Sequence, residues 1–502
     1  MSQHGQGFDA ASAELAASAA RHPAGLRTLF FTEMWERMSY YGMRALLVLF
    51  MTDQIARGGM GLTREVATAI VGLYTASVYL AALPGGWIAD RLLGAQRAVW
   101  AGGLLIAAGH FTLAARSTVT FFLGLILVAL GTGLLKPNIS ALVGRLYPEG
   151  GSRRDSGFTI FYMGINLGAF LGPMVCGWLG EKWDWHFGFT AAGVGMLVGL
   201  VTFRRTRRAL GDNGLKPEQP SDAPKRDWAL VGSGLAALAV VFALAAFGVI
   251  SINPVWLGRW MVALIGGMAL LFFAAVFLFA GLDTTEKKRV AVIAILFVAS
   301  TMFWTGFEQV ASSLNLFGRD HTLRYIRWLD WEFPASWFGS VGAVFIILLA
   351  PVAAALWPRL ARRGLEPSLP GKLAWGLLFL AAGFLLMVAA SEHALRTGKV
   401  LPTWLVATYF LHTIGELCLS PVGLSSVTKL APPRLVGQMM GVWFLGSSLG
   451  NLIAGLFAGQ VTGDNVAAMP ARFLQVVWAA GGAGLLLLVF SKPIRKLMAG
   501  VK

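Results

Sequence analysis

A stripe of acids, arginines and tyrosines lies within an otherwise apolar segment near the start of the chain. At about 100° per residue, one helix face carries Glu33, Glu36, Arg37, Tyr40, Tyr41 and Arg44. An ionisable residue at the centre of a membrane-spanning helix costs roughly 2.5–3.5 kcal/mol, and pairing acids with arginines lowers that cost. The stripe therefore indicates a functional site that faces a wet interior and binds or moves charge.

Lys136 is a second charged residue inside an apolar run, directly before Pro137. Proline frees a backbone carbonyl and kinks a helix, which opens room for a polar pocket. Glu33, Glu36 or the carboxylate of a substrate would each suit the ammonium group as a partner. The alternative is a lysine that extends to the membrane surface.

Two carboxyl groups lie in apolar segments of the second half of the chain. Glu308 follows Trp304 by one helical turn, and a buried carboxyl without a fixed cation is a candidate for proton binding. Glu416 stacks with His412 and Ser420 at spacings of four residues. Glu416 could neutralise a cationic group, while His412 is either a pH-sensitive group or a hydrogen-bonding residue of the core. Glu308 could also be a purely structural, protonated acid.

The charges at membrane depth differ in sign between the two halves of the chain. Arg37, Arg44 and Lys136 are cationic, whereas Glu308 and Glu416 are anionic. A cavity between two such halves would attract the carboxylate of a zwitterion to one wall and its ammonium group to the other. A short peptide is a molecule of this kind.

The composition indicates a polytopic membrane protein. Of the 502 residues 56% are hydrophobic and only 13% are charged, against roughly 25% charged in soluble proteins. The net charge of +16 follows from membrane topology, because Lys and Arg concentrate in alternate loops, and we expect no nucleic-acid partner. Cys176 and Cys418 lie in apolar stretches, so neither a disulfide nor a metal site is expected, and no cofactor is implied.

Fourteen windows are apolar and long enough to cross a bilayer, which predicts an all-α integral membrane protein with 14 transmembrane helices and both termini in the cytoplasm. The ninth window covers 290–314. Basic and proline-rich links divide the chain into four predicted segments. These are a cytoplasmic tail (1–25), a six-helix bundle (26–208), a linker with two accessory helices (209–286) and a second six-helix bundle with a short tail (287–502). Two such bundles place a substrate site between them near the midplane.

The short loop at 85–97, with its paired glycines, resembles the signature loop of the major facilitator superfamily. Asp90 and Arg97 would then act as a conformational latch that gates the transporter. An ordinary helix-ending loop is the alternative. Asn166 lies one turn after Tyr162, where an amide can donate to and accept from a peptide bond, or simply join two helices.

Taken together, the motifs resemble the proton-coupled oligopeptide transporter family, in the bacterial form with two extra helices. The matching runs follow family order over nearly the whole chain. They are Glu33-x-x-Glu36-Arg37 with Tyr40-Tyr41-Gly42, the loop at 85–97, Gly131-x-Gly-x-x-Lys136-Pro137-Asn138, Phe161-Tyr162-x-x-Ile165-Asn166, Phe303-Trp304-x-x-Phe307-Glu308-Gln309 and Gly415-Glu416 to Pro421.

The resemblance implies a symporter in the bacterial inner membrane that imports di- and tripeptides, and peptide-like compounds, with protons as the coupling ion. It assigns proton coupling to Glu33, Glu36, Arg37, Lys136 and Glu308. The peptide carboxylate would bind Arg44 and Lys136, and the peptide amino group would bind Glu416. The remaining predicted binding residues are Tyr40, Tyr41, Tyr79, Asn166, Trp304, Glu308, Ser420 and Trp443. We expect a monomer.

Two positions depart from the family pattern. Gly342 stands where the tenth span usually carries an asparagine, so one backbone contact to the substrate is lost. Gly72 occupies the place of a histidine that animal members carry, so proton coupling would rest on carboxylates.

Three other functions remain open from the sequence. The first is transport of nitrate, which some relatives carry, or of another small solute, although Glu416 and the intact acid–arginine cluster argue against a purely anionic ligand. A transport-linked sensor would share the same motifs. An intramembrane enzyme is disfavoured, because no His-x-x-x-His motif, paired aspartates or Ser/Lys dyad occurs at a suitable spacing.

Overall fold

The structure, a computed structural model, describes residues 22–149, 151–461 and 466–500, and for residues 152 and 420–425 it describes the backbone alone. The predicted tail at 1–25 therefore lies mostly outside the described residues. Helices make up most of the described chain. Its strands form one antiparallel hairpin, β1 (Tyr325–Ile326) and β2 (Trp331–Glu332).

Six long helices form the N-terminal half: α1 (Ala24–Thr52), α2 (Arg64–Ile88), α3 (Ala95–Leu113), α4 (Thr118–Arg145), α5 (Gly151–Lys182) and α6 (Trp185–Thr206). Two helices follow the linker: α7 (Pro224–Ala246) and α8 (Pro254–Phe279). The C-terminal half contains α9 (Thr284–Phe307), α10 (Ser313–Asp320), α11 (Phe338–Arg362), α12 (Leu369–Thr397), α13 (Thr403–Leu430), α14 (Val436–Val461), α15 (Met469–Val489) and α16 (Ser491–Leu497).

Eleven helices of the described chain are long and apolar enough to cross a membrane. Three further predicted spans coincide with α1, α3 and α13, and α1 carries the charged stripe. The prediction of an all-α membrane protein is thus confirmed. The count of fourteen crossings and the cytoplasmic position of both termini stay predictions.

Buried apolar side chains form two clusters, one mainly from α1–α6 and one mainly from α8–α16. The clusters meet where the halves touch, because Ala76 of α2 packs into the second cluster and Leu316 of α10 into the first. The most apolar stretch of α7 contains no buried residue. The predicted domain boundaries at 208 and 286 stay predictions.

The backbones of the two halves come into contact where glycines of α2 and α14 meet. A Cβ on Gly72 would lie 3.0 Å from the Cα of Gly455 and 3.1 Å from the carbonyl oxygen of Leu452. Such distances leave no room for a larger side chain. Backbone contact between the helices therefore explains why a glycine stands at position 72.

The ninth predicted span is interrupted, contrary to the continuous helix expected over 290–314. The α-helix ends at Phe307, a 3₁₀ turn covers Glu308–Ala311, and α10 begins at Ser313. Gln309 holds this turn, since the hydroxyl of Ser313 donates to its side-chain oxygen at 2.7 Å. A short 3₁₀ stretch inside a long helix often marks a hinge, and here it carries Glu308.

Candidate functional site

A central cavity of about 170 Å³ lies between the two halves, beside the interruption after α9. Helices α1, α2 and α5 line it from one half, and α9, α10, α11 and α13 from the other. Its wall includes several of the predicted binding residues: Tyr41, Arg44, Tyr79, Asn166, Trp304, Glu308 and Glu416. The fold thus gathers polar and aromatic side chains that are distant in sequence around one space.

An ion pair between Arg44 and Glu308 joins the two halves across this cavity. Arg44 extends from α1, and Glu308 opens the 3₁₀ turn after α9. Their side chains are 11% and 9% exposed, so water screens the pair only weakly. Removing the charge of one partner in such a pair leaves the other charge buried and uncompensated. The protonation state of Glu308 therefore decides whether Arg44 is available to another anion.

Glu33, Glu36 and Arg37 form a buried cluster that does not line the cavity. The Arg37 Nε lies 3.1 Å from a carboxylate oxygen of Glu33 and also donates to Glu36. The guanidinium group sits 5.1 Å from the ring centre of Tyr40 and 6.0 Å from that of Tyr41. Since Tyr41 lines the cavity, the cluster lies one aromatic layer behind its wall. The second carboxylate oxygen of each acid has no protein partner, which leaves it able to accept a proton or a water.

Lys136 contacts an aromatic ring instead of an acid. Its Nζ lies 4.4 Å from the ring centre of Tyr79, a cation–π distance. Within the described residues Lys136 forms no ion pair, because Arg37 engages both Glu33 and Glu36. Lys136 lies behind the cavity wall, screened by Tyr79, so it does not reach a substrate carboxylate in this conformation.

One face of α13 supplies four residues of the wall: Tyr409, His412, Thr413 and Glu416. The i, i+3, i+4, i+7 spacing could have identified Tyr409 and Thr413, which the sequence analysis missed. The His412 ring packs on Phe384 with ring centres 4.9 Å apart. Glu416 forms no ion pair with any described residue. Ser420, one turn further, has its side chain outside the described residues.

Asn315 also lines the cavity and was not predicted as a binding residue. Its side-chain amide donates to the carbonyl oxygen of Ala45 at 2.8 Å, and its own buried oxygen has no protein partner. Gly342 faces open space, because a Cβ placed there meets no atom within 4 Å. Both residues shape the cavity, and Gly342 leaves free volume where a side chain would otherwise project.

Besides Lys136, two predicted binding residues lie outside the cavity wall. Tyr40 is buried, with its ring edge-on to Tyr41 and stacked on Tyr74 at 6.3 Å. Trp443 belongs to the apolar cluster of the C-terminal half. Tyr40 lies on the flank of the charged stripe that packs against α2, whereas Tyr41 lies on the flank that faces the cavity. The structure thus corrects the expectation that Tyr40 and Trp443 line the pocket.

Polar contacts between the halves close the end of the cavity that the predicted topology places outside. Arg64 pairs with Asp320 at 2.9 Å, and Arg319 donates to Thr52 at 2.8 Å. Glu181 accepts hydrogen bonds of 2.8 Å from two backbone N–H groups that precede α11. These contacts join α1, α2 and α5 to α10 and α11, so the cavity cannot open on this side without breaking them.

The predicted gating residues Asp90 and Arg97 flank a contact with the linker. The backbone oxygen of Asp90 accepts a hydrogen bond from Gln219 at 3.0 Å, and Arg97 is exposed. A side-chain contact with the linker comes from the buried Gln96, which was not predicted. Its amide donates to the carbonyl oxygens of Gly211 and Asn213 at 3.0 and 2.8 Å.

Among its described residues the site offers carboxyl groups and aromatic rings. Among the described residues no group of three or more His, Cys, Asp or Glu side chains could hold a metal ion. The arrangement can bind a dipolar solute between Arg44 and Glu416, and it can exchange the Arg44–Glu308 pair for an interaction with that solute.

Three comparisons with known proteins all point to the same family. A family model described as "POT family" matches residues 96–472. The "Peptide transporter YePEPT" of Yersinia enterocolitica is 45% identical over 489 residues, 95% of each chain. A "Di-/tripeptide transporter" of Lactococcus lactis subsp. cremoris is 36% identical over 492 residues, 96% of this chain and 97% of that protein. A crystal structure of a variant of peptide transporter POT in complex with alafosfalin superposes with a TM-score of 0.87 at 41% identity, covering 95% of this chain and 96% of the other.

Proposed function

The chain belongs to the POT family of transporters, and on that premise we propose that it is a proton-coupled symporter that imports di- and tripeptides and peptide-like compounds. Relatives that match nearly their full length are named as peptide and di-/tripeptide transporters. The solved relative that binds alafosfalin supports peptide-like compounds as ligands. The peptide crosses uncleaved, as expected of a family of transporters. No observation favours nitrate.

The observation that carries the proposal is the buried Arg44–Glu308 pair across the cavity. When a proton binds Glu308, the pair loses its attraction and Arg44 becomes available to the peptide carboxylate. Because proton binding and peptide binding then favour one another, the two solutes move together. Protons are the coupling ion, and no further cofactor takes part.

The two ends of a peptide meet opposite charges in the cavity. Arg44 attracts the carboxylate, and Glu416, which has no ion pair among the described residues, attracts the amino group. The aromatic wall formed by Tyr41, Tyr79 and Trp304 packs against the peptide between them. A fixed distance between the charged walls limits the length of the peptide backbone, while the free space beside Gly342 accommodates side chains.

The acid–arginine cluster of Glu33, Glu36 and Arg37 is the second proposed proton-binding site, after Glu308. Glu33 and Glu36 each keep a buried carboxylate oxygen without a protein partner, and both contact Arg37. Protonation of either acid loosens its hold on Arg37, whose guanidinium group packs on Tyr41 in the cavity wall. Lys136 also lies behind the cavity wall, where its ammonium group packs on Tyr79, so a movement of this ring moves Lys136 as well.

Import requires the two halves to alternate between conformations around the cavity. The contacts of Arg64, Arg319 and Glu181 keep the outer end closed in the observed conformation. Their rupture, together with closure at the opposite end, opens the cavity outward. We propose a monomer as the working unit, because one chain builds the whole cavity.

Uptake by proteoliposomes tests this function. Purified wild-type protein should accumulate labelled dialanine when an inward proton gradient is imposed, and should only equilibrate it without the gradient. A membrane potential of 100 mV supplies about 2.3 kcal/mol per charge, enough for roughly fiftyfold accumulation at one proton per peptide. Gradient-independent exchange alone would refute proton coupling, and absence of any dialanine exchange would refute peptide transport.

A further inference from the structure

A long apolar groove lies on the outer surface of the C-terminal half, away from the central cavity. It has a volume of about 900 Å³ and runs between α9, α15 and the short α16. Small residues recess its floor, among them Ala294 of α9 and Gly482 and Ala483 of α15. Along α15 the groove extends from Trp478 to Phe490, which at 1.5 Å per residue is about 18 Å. This length is close to one leaflet of a bilayer whose hydrocarbon core is about 30 Å thick.

Basic side chains surround the end of the groove that the predicted topology places in the cytoplasm. Lys287 and Lys288 precede Ala294 and Ile295 by seven residues each, so they lie two turns below the groove on the same face of α9. Both lysines are exposed, and among the described residues neither pairs with an acid. The neighbouring Glu286 is engaged by Arg434 at 2.8 Å.

The α16 helix closes this end of the groove with an amphipathic face. Ile494 and Leu497 line the groove, whereas Lys492, Arg495 and Lys496 are exposed. A short helix with one apolar and one basic face is typical of the membrane–water interface. Arg289 fixes the end of this segment, because its guanidinium group donates to the carbonyl oxygens that follow α16 at 3.4 and 3.2 Å.

We propose that this groove is a binding site for an anionic phospholipid of the cytoplasmic leaflet. One acyl chain lies along α15 in the recess, and the phosphate group meets Lys287, Lys288 and the basic face of α16. Charge complementarity selects this occupant, because a zwitterionic lipid would fill the apolar recess equally well but would gain less from five basic side chains. The groove contributes nothing to the central cavity, so the proposal is independent of peptide transport.

Native mass spectrometry of the full-length purified protein tests the proposal. The protein is incubated with equal amounts of palmitoyl-oleoyl-phosphatidylglycerol and the matching phosphatidylcholine, and the lipid retained after collisional activation is counted. The charge variant is Lys287→Gln with Lys288→Gln. Gly482→Leu fills the recess, since a Cβ at Gly482 meets no atom within 4 Å. The matched control is Arg362→Gln with Arg363→Gln, an exposed basic pair on the same half of the protein that does not line the groove.

We expect the wild type and the control to retain one phosphatidylglycerol in preference to phosphatidylcholine. The lysine variant should retain about thirtyfold less phosphatidylglycerol, the factor that two basic side chains near an anionic lipid carry, and Gly482→Leu should lose both lipids. Equal retention of the two lipids by the wild type, or an unchanged preference in the lysine variant, would overturn the proposal. A dimer that excludes lipid would likewise overturn it. If Gly482→Leu does not fold, the variant with Lys287→Gln and Lys288→Gln still tests the preference for the anionic lipid, because both lysines are exposed.

Discussion

Replacing Glu308 by glutamine separates proton coupling from peptide binding in this protein. The substitution keeps the size and hydrogen-bonding reach of the side chain but removes its negative charge, so it mimics the protonated acid. Arg44 then loses its ion-pair partner permanently. We expect Glu308→Gln to exchange peptide across the membrane but to lose concentrative uptake driven by a proton gradient.

The magnitudes follow from the burial of the pair. Both side chains are about nine-tenths buried, and removing one partner of a buried ion pair costs about 3–5 kcal/mol when the other stays uncompensated. A peptide carboxylate can recover part of this free energy by binding Arg44. In the wild type a proton must bind Glu308 before Arg44 can bind the peptide. Each peptide therefore enters with a proton, and the 2.3 kcal/mol available per charge at 100 mV drives its accumulation. The fiftyfold accumulation of the wild type should therefore fall to about onefold in Glu308→Gln.

The assay compares two modes of transport in the same proteoliposomes. Dialanine uptake is measured first under an imposed proton gradient and potential, and then as counterflow with unlabelled dialanine inside and no gradient. Glu366→Gln is the matched control, because Glu366 forms an exposed ion pair with Lys372 in the same half of the protein. This control should accumulate dialanine like the wild type.

Accumulation by Glu308→Gln at the wild-type ratio would refute the role given to the pair, since no charge at position 308 would then be needed. If Glu308→Gln lost both counterflow and accumulation but still unfolded at the wild-type temperature, the variant would be folded but inactive. Glu308 would then serve peptide binding and not proton coupling. Counterflow without accumulation is the result that the geometry predicts.

Three further substitutions test other parts of the structure. Gly342→Leu fills free space in the cavity, so uptake of diphenylalanine should fall about tenfold relative to dialanine; a parallel fall for both peptides would contradict this placement. Gln96→Ala removes two hydrogen bonds to the linker, each contributing about 1 kcal/mol, so a glutamate-specific endoproteinase should cut after Glu218 about thirtyfold faster. An unchanged rate would show that backbone contacts alone hold the linker. Asp184 caps α6, and although burial raises its pKa, the backbone and ring hydrogen bonds of His186 outweigh burial and lower the pKa overall. Asp184→Ala should therefore cost about 1 kcal/mol of stability at pH 7, measured by thermal unfolding in detergent. The difference in stability from the wild type should shrink as the pH falls below about 4, where the carboxylate of the unfolded chain gains its proton. A difference independent of pH would contradict a contribution from the charge of Asp184.

Composition and motif order were sufficient to identify the membrane class, the helical fold and the family. Long apolar windows can span a bilayer only as helices, because backbone groups must be satisfied within the segment. Charged residues inside such windows are expensive, so Glu33, Arg44, Lys136, Glu308 and Glu416 stood out without any structure. These signals are local, and a single chain shows them directly.

The partners of those charges were decided by tertiary structure. Sequence left Lys136 open to Glu33 or Glu36, yet Arg37 takes both acids and Lys136 lies over Tyr79. The pairing of Arg44 with Glu308 spans the two halves of the protein and depends on the angle at which they meet. No local pattern encodes that angle.

The rotation of each helix about its own axis and the interruption after Phe307 were not evident from the sequence. Periodicity alone could not tell that Tyr40 and Trp443 are buried in helix packing while Tyr41 faces the cavity. A rotation of one residue moves a side chain by about 100°, and packing between helices sets that rotation. The sequence therefore determined which residues carry charge into the membrane, and the packing of the two halves determined which of them meet, because contacts between distant helices depend on geometry that the order of residues does not display.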